Sequence, residues 1–140
     1  MEHLSELKIK NEELKIPSMK EHNIILEKSY AFGLRIVKLY LHLRKQKVER
    51  ELLLQLLRSG TSIGANIEEA EGAQSKSDFI HKVSIAYKEA RETSYWLRLL
   101  NDAGSLEIKL SQSFLSDVDE LKKILASILK TSKNNKTPNS

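Results

Sequence analysis

Between residues 53 and 70, apolar and small side chains recur three and four positions apart without a break. Leu53, Leu56, Leu57, Gly60, Ile63, Gly64, Ile67 and Ala70 fall in one broad stripe, with Arg58, Ser62, Ala65 and Glu69 opposite. Inside this run lies RSGTSIGANIEEA, whose two glycines and clustered hydroxyl residues have the composition of a phosphate-binding loop. A loop would scramble the helical phase. The phase survives both glycines, so the spacing predicts a helix over residues 48–73. Each glycine costs a helix about 1 kcal/mol against alanine; two of them, four apart on the buried stripe, imply a helix packed unusually close against Gly60 and Gly64. The chemistry agrees, because a phosphate loop needs Gly-Lys-Ser/Thr after a strand, and here Ala65 follows Gly64 with no strand ahead of it.

Both prolines, Pro17 and Pro138, lie outside residues 23–130, so that region is free to be almost entirely helical. A first helix is predicted over residues 23–46, capped by Ser18 or Asn23, with Ile25, Tyr30, Phe32, Ile36, Val37, Tyr40, Leu41 and Leu43 as its apolar positions. The second helix ends at Gly72. Ser75 and Asp78 then have the capping-box spacing that starts a third. This third helix carries Phe79, Ile80, Val83, Ala86, Tyr87, Ala90, Ser94, Leu97 and Leu100, widened by Trp96 and Leu99, and stops at Gly104. A fourth is predicted over residues 111–130. Short turns make neighbours antiparallel, so residues 21–130 are expected to form an all-α, antiparallel up-down-up-down four-helix bundle. Residues 131–140 read as a disordered, solvated tail. Residues 1–20 form an N-terminal arm in which Leu4, Leu7 and Leu14 have helical spacing among many charges. Packing on a neighbour and disorder are both compatible with that pattern.

A chain of 140 residues, 40% hydrophobic, suits one domain with a core of its own. It has no cysteine, which excludes disulfides, thiolate metal sites and a cysteine nucleophile. Charges interrupt every apolar run near the N-terminus, so neither a signal peptide nor a membrane span is expected, and the protein is placed in the cytoplasm. A carboxylate di-iron bundle needs two Glu-x-x-His pairs. The nearest match is the single Asp78-x-x-His81, and Glu69 and Glu71 beside it would make an adventitious site at most, so no metal or other cofactor is expected. None of His3, His22, His42 and His81 has an evident orienting partner. The reading is therefore of a protein that is not an enzyme, with no catalytic residues.

Lys and Arg number 23 against 19 Asp and Glu, a formal net charge of +4. The excess is local. In LRKQKVER, Arg44, Lys45, Lys47 and Arg50 face only Glu49 and Glu51, and an antiparallel bundle brings Arg98 to the same pole. Glu68, Glu69, Glu71 and Asp78 are expected at the other, giving one basic and one acidic end. In YKEARETSYW, Lys88 and Arg91, with Arg98 beyond, are placed to meet phosphates while Tyr95 or Trp96 stacks on a base. The competing reading pairs Lys88 with Glu92 and sends Trp96 to the core.

The stretch LLRSGTSIGANIEEAEGAQSKSDFIHKVSIAYKEARETSYWLRLL, with NIILEKSYAFGLRIVKLY upstream, closely resembles the small four-helix-bundle proteins encoded in intervening sequences of bacterial 23S ribosomal RNA genes. The likeness spans about residues 23–101. It implies a closed bundle assembled as a ring-like homopentamer. The chain is also similar to the accessory variability determinant proteins of diversity-generating retroelements, a resemblance that implies a basic pentamer binding nucleic acid beside a reverse transcriptase. The expectation is thus a non-enzymatic homo-oligomer that binds structured RNA or DNA through Arg44, Lys45, Lys47, Arg50, Lys88, Arg91 and Arg98. The alternative is an oligomeric scaffold or protein-interaction module whose basic surface only solubilises it. On either reading, Gly60 and Gly64 admit a close helix, from the same bundle or from a neighbouring subunit.

Overall fold

The computed structural model describes residues 17–134, with side chains from residue 23 onward. It contains four helices, α1 (Pro17–Lys45), α2 (Arg50–Glu71), α3 (Lys76–Asp102) and α4 (Ile108–Asn134), and no strand among the described residues. Pairings across the seams fix their directions. Ser29 and Ile36 of α1 face Gly64 and Gly60 of α2. Arg58 and Glu69 of α2 meet Glu92 and Lys82 of α3. Lys28 and Arg35 of α1 meet Glu120 and Asp117 of α4. In each seam the earlier residue on one helix meets the later residue on the other, so these neighbours are antiparallel, and the short α3–α4 turn makes the fourth pair antiparallel too. The diagonal pairs α1/α3 and α2/α4 do not approach one another. The result is the expected up-down-up-down four-helix bundle.

The core runs the length of the bundle. It takes Ile25, Phe32, Ile36, Leu39 and Leu43 from α1, and Leu53, Leu56, Ile63, Ile67 and Ala70 from α2. From α3 come Val83, Ala86, Ala90, Leu97 and Leu100, and from α4 Phe114, Val118, Leu121, Leu125 and Ile128. On α1 this corrects the sequence reading. Tyr30, Val37 and Leu41, expected inside, are 70%, 37% and 42% exposed. The true core stripe passes through Ser29, whose polarity hides the pattern. A second stripe with the same three-and-four spacing, Tyr30, Leu34, Val37 and Leu41, lies on the opposite side of the helix.

Gly60 and Gly64 are mid-helix and face α1 of the same chain. A Cβ on Gly60 would lie 2.7 Å from Cγ1 of Ile36, and one on Gly64 would lie 3.2 Å from the Ser29 carbonyl oxygen. The helix that the glycines admit is therefore an intramolecular one.

Two turns use the left-handed region. After α3, Gly104 has φ 79°; its N–H donates to the Asn101 carbonyl at 3.0 Å and that of Ser105 to the Leu100 carbonyl at 2.9 Å, a Schellman motif. After α1, Lys47 stands where glycine is usual, with φ 61° and the same pattern of bonds, from its N–H to Arg44 and from Val48 to Leu43. The α2–α3 turn differs, since Gly72 has φ −95° and makes no use of its freedom, and the cap that matters is Ser75, whose hydroxyl accepts from the Asp78 N–H at 3.0 Å.

α1 starts before and α4 extends at both ends beyond the predicted bounds, whereas α2, expected over residues 48–73, is shorter, Arg50–Glu71. Residues 17–20, counted with the arm, are helical backbone, and α4 continues past residue 130 to Asn134 with Ser132 buried. The remainder of the arm, residues 1–16, and of the tail, residues 135–140, lies outside the described residues.

Candidate nucleic-acid interface

Arg44, Lys45, Lys47 and Arg50 surround the α1–α2 turn and are all exposed. The left-handed backbone at Lys47 sets its side chain at the apex. The Arg44 guanidinium lies over the Tyr40 ring, 5.6 Å from its centroid. The α2/α3 register set by Arg58–Glu92 and Glu69–Lys82 carries Arg50 to the level of Arg98, so the two cationic groups named by the sequence reading meet at one pole. Lys109 belongs there too. Sequence reasoning missed it because α4 was expected to start at residue 111, whereas it starts at Ile108 and places Lys109 in its first turn.

Along α3, Lys88, Arg91, Tyr95 and Arg98 are spaced three, four and three apart and are all exposed, so they form one outward face about 15 Å long. Tyr95 is 48% exposed and meets the edge of Trp96 with ring centroids 5.0 Å apart. The expected Lys88–Glu92 pair does not form. Glu92 is taken instead by Arg58 from α2 and by the Trp96 indole N–H at 3.1 Å, while Glu89 accepts from Arg58 at 3.2 Å. Inter-helix geometry outcompetes the i,i+4 pair because an arginine fork reaches two carboxylates at once. Trp96 is consequently half-buried against the core with its N–H satisfied, which leaves Tyr95 as the accessible ring.

Charge pairing separates the cations into two sets. Lys28, Arg35, Arg58, Lys82 and Lys122 have carboxylate partners. Among the described residues, Arg44, Lys45, Lys47, Arg50, Lys88, Arg91, Arg98 and Lys109 have none within 4.0 Å, and neither do Lys38, Lys76, Lys123, Lys130 and Lys133 away from the site. The opposite pole, expected from the sequence to be acidic, is only partly so. α4 ends there and brings Lys130 and Lys133, so Glu68, Glu69, Glu71 and Asp78 make an acidic patch on the α2/α3 side alone. No three His, Asp or Glu side chains converge to hold a metal ion among the described residues. No described helix is long and apolar enough to cross a membrane.

A family model described as 23S rRNA-intervening sequence protein matches residues 21–127. A crystal structure of a protein with unknown function from the S23 ribosomal protein family of Bacteroides thetaiotaomicron VPI-5482 is 48% identical in sequence, with a TM-score of 0.77. The match covers 79% of this chain and 98% of that one. No curated protein matches the chain. The helix-two to helix-three motif, the four-helix architecture and the extent of the family match lead to one assignment: the chain belongs to the 23S rRNA-intervening sequence protein family.

Proposed function

We propose that this protein is a non-enzymatic, cytoplasmic homo-oligomer that binds structured nucleic acid, RNA foremost, through the basic pole and the outer face of α3. The observation that carries the reading is the clustering of cations without a carboxylate partner among the described residues: Arg44, Lys45, Lys47 and Arg50 surround one turn, and Lys88, Arg91 and Arg98 share one outward face of α3, whereas Lys38, Lys76, Lys123, Lys130 and Lys133, equally without one, lie elsewhere. Unpaired cations are available to displace counterions from a phosphate backbone. Tyr95, exposed between Arg91 and Arg98, adds a face on which a base can stack. Lys47 supports the same reading, because a lysine in the left-handed region costs roughly 1 kcal/mol that glycine would avoid, and its charge is kept at the apex of the turn.

Assembly is supported by the Tyr30, Leu34, Val37 and Leu41 stripe, an apolar ridge on the solvent side of α1. A second copy covers it, and the family resemblance implies five copies in the ring. The runner-up reading, an oligomeric scaffold without a nucleic-acid role, rests on this ridge alone. Filter binding of mixed RNA across a salt series separates the two. Phosphate contact gives affinity that falls linearly with salt on logarithmic axes, whereas the scaffold gives no binding at physiological salt.

A further inference from the structure

The outer face of α3 has two edges of different chemistry. At about 100° per residue, Arg91 and Arg98 fall together on the edge nearer α4, and Tyr95, Leu99 and Trp96 follow in turn toward α2. Tyr95 and Leu99 are 48% and 38% exposed. Leu54, one turn before Arg58 on the same side of α2, comes level with Trp96 in the register set by Arg58–Glu92, and it is exposed as well. An apolar floor of Leu54, Trp96, Leu99 and Tyr95 thus runs beside a rail of cations.

Both edges are held in place by their neighbours. Glu89 and Glu92, the carboxylates on the α2 side, are taken by Arg58, and Asp102 lies one turn past Arg98 at the end of the face. The Arg98 Nε donates to the Ser94 carbonyl at 3.3 Å, which lays the side chain back along the helix toward Arg91. The Trp96 indole N–H is fixed on Glu92, and its ring meets Tyr95 edge-on, so the two rings steady each other. A rail beside a floor does not match a duplex. An A-form helix stacks its base faces inside and shows phosphates and 2′-hydroxyls, so it engages the arginines and has nothing to lay on Tyr95 and Leu99. An unpaired strand offers phosphates along one side and open base faces along the other, and it satisfies both edges together.

Granted the nucleic-acid role proposed for this face, we infer that the outer side of α3 takes unpaired nucleotides, with phosphates on Arg91 and Arg98 and a base across Tyr95 and Leu99. Trp96 is the chain's single tryptophan, so its emission reports on this floor alone. The full chain is titrated with a labelled oligouridine of about ten nucleotides and with a blunt duplex RNA, following Trp96 emission and the anisotropy of the label. The oligouridine quenches Trp96 as it binds, and the duplex binds without quenching. Tyr95→Ala lowers affinity for the oligouridine about five-fold or more and leaves that for the duplex unchanged, whereas Tyr95→Phe keeps the parent's affinity for both. Helical circular dichroism verifies that both variants fold. Equal quenching by the two RNAs, an equal effect of Tyr95→Ala on both, or binding of the duplex alone overturns the inference and leaves the basic pole as a nucleic-acid site. Binding of neither RNA removes the inference and the proposed function together. Emission that changes with protein concentration and not with RNA also overturns it, and assigns the floor to a neighbouring copy.

Discussion

Ile36 of α1 occupies the space that a Cβ on Gly60 of α2 would enter, its Cγ1 standing 2.7 Å and its Cγ2 2.9 Å from that point. Both atoms branch directly from the Ile36 Cβ and the side chain is fully buried, so neither can swing aside. Gly60→Ala must therefore push the helices apart. Overpacking costs about 1–3 kcal/mol, and the gain in helix propensity returns up to about 1. The expected outcome is a net loss of about 1–2 kcal/mol in a urea titration. Gly33→Ala is the control, since nothing lies within 4 Å of its added carbon, and it should gain about 0.5–1 kcal/mol.

Lys47→Gly should separate stability from binding. Relieving the left-handed lysine raises the unfolding free energy by about 0.5–1 kcal/mol, while removal of the charge weakens RNA binding at low salt. The two changes have opposite signs. A variant that gains stability with unchanged RNA affinity would remove Lys47 from the interface.

The helical phase through Gly60 and Gly64 made α2 legible, because a period of 3.6 needs only apolar and small positions to be read. On α1 the same method failed to choose a face. Ile25, Phe32, Ile36, Leu39 and Leu43 and the stripe of Tyr30, Leu34, Val37 and Leu41 have equivalent spacing, and only the neighbouring helices decide which is buried. The cationic residues of the candidate site were legible by type and position. Their freedom from carboxylates was not, since Arg58 takes Glu92 from Lys88 across a seam that joins residues 34 apart in sequence. Lys109 was missed for a local reason, three residues of α4 read as loop.

The outer ridge of α1 gives a prediction about assembly. Leu34 is 46% exposed, so Leu34→Asp leaves the isolated bundle folded, with a change in stability within about 0.5 kcal/mol. In an oligomer that buries the ridge, the same carboxylate is desolvated without a partner and the interface loses several kcal/mol, of the order expected for a buried charge. Light scattering should find the parent oligomeric at micromolar concentration and the variant monomeric. A parent of monomer mass, 16.0 kDa, would remove the assembly proposal altogether.

The nucleic-acid reading makes its sharpest demand on the salt dependence. Each phosphate contact releases somewhat less than one counterion, so replacing Lys45 and Lys47 together by Ala should flatten the logarithmic salt slope by up to about 2 units, and by similar amounts on unrelated RNA sequences. Tyr95→Ala tests a different contribution. Base stacking contributes about 1–3 kcal/mol per base by alanine substitution, and it releases no counterions, so affinity should fall while the slope stays that of the parent. Since Tyr95 is half exposed and makes only an edge contact with Trp96, fold and assembly should survive its loss. If the double lysine variant remained folded and bound RNA with the parent's affinity and slope, the pole around the α1–α2 turn would not be the site. If Tyr95→Ala instead changed the slope and the affinity together, the α3 face would be contacting phosphate alone.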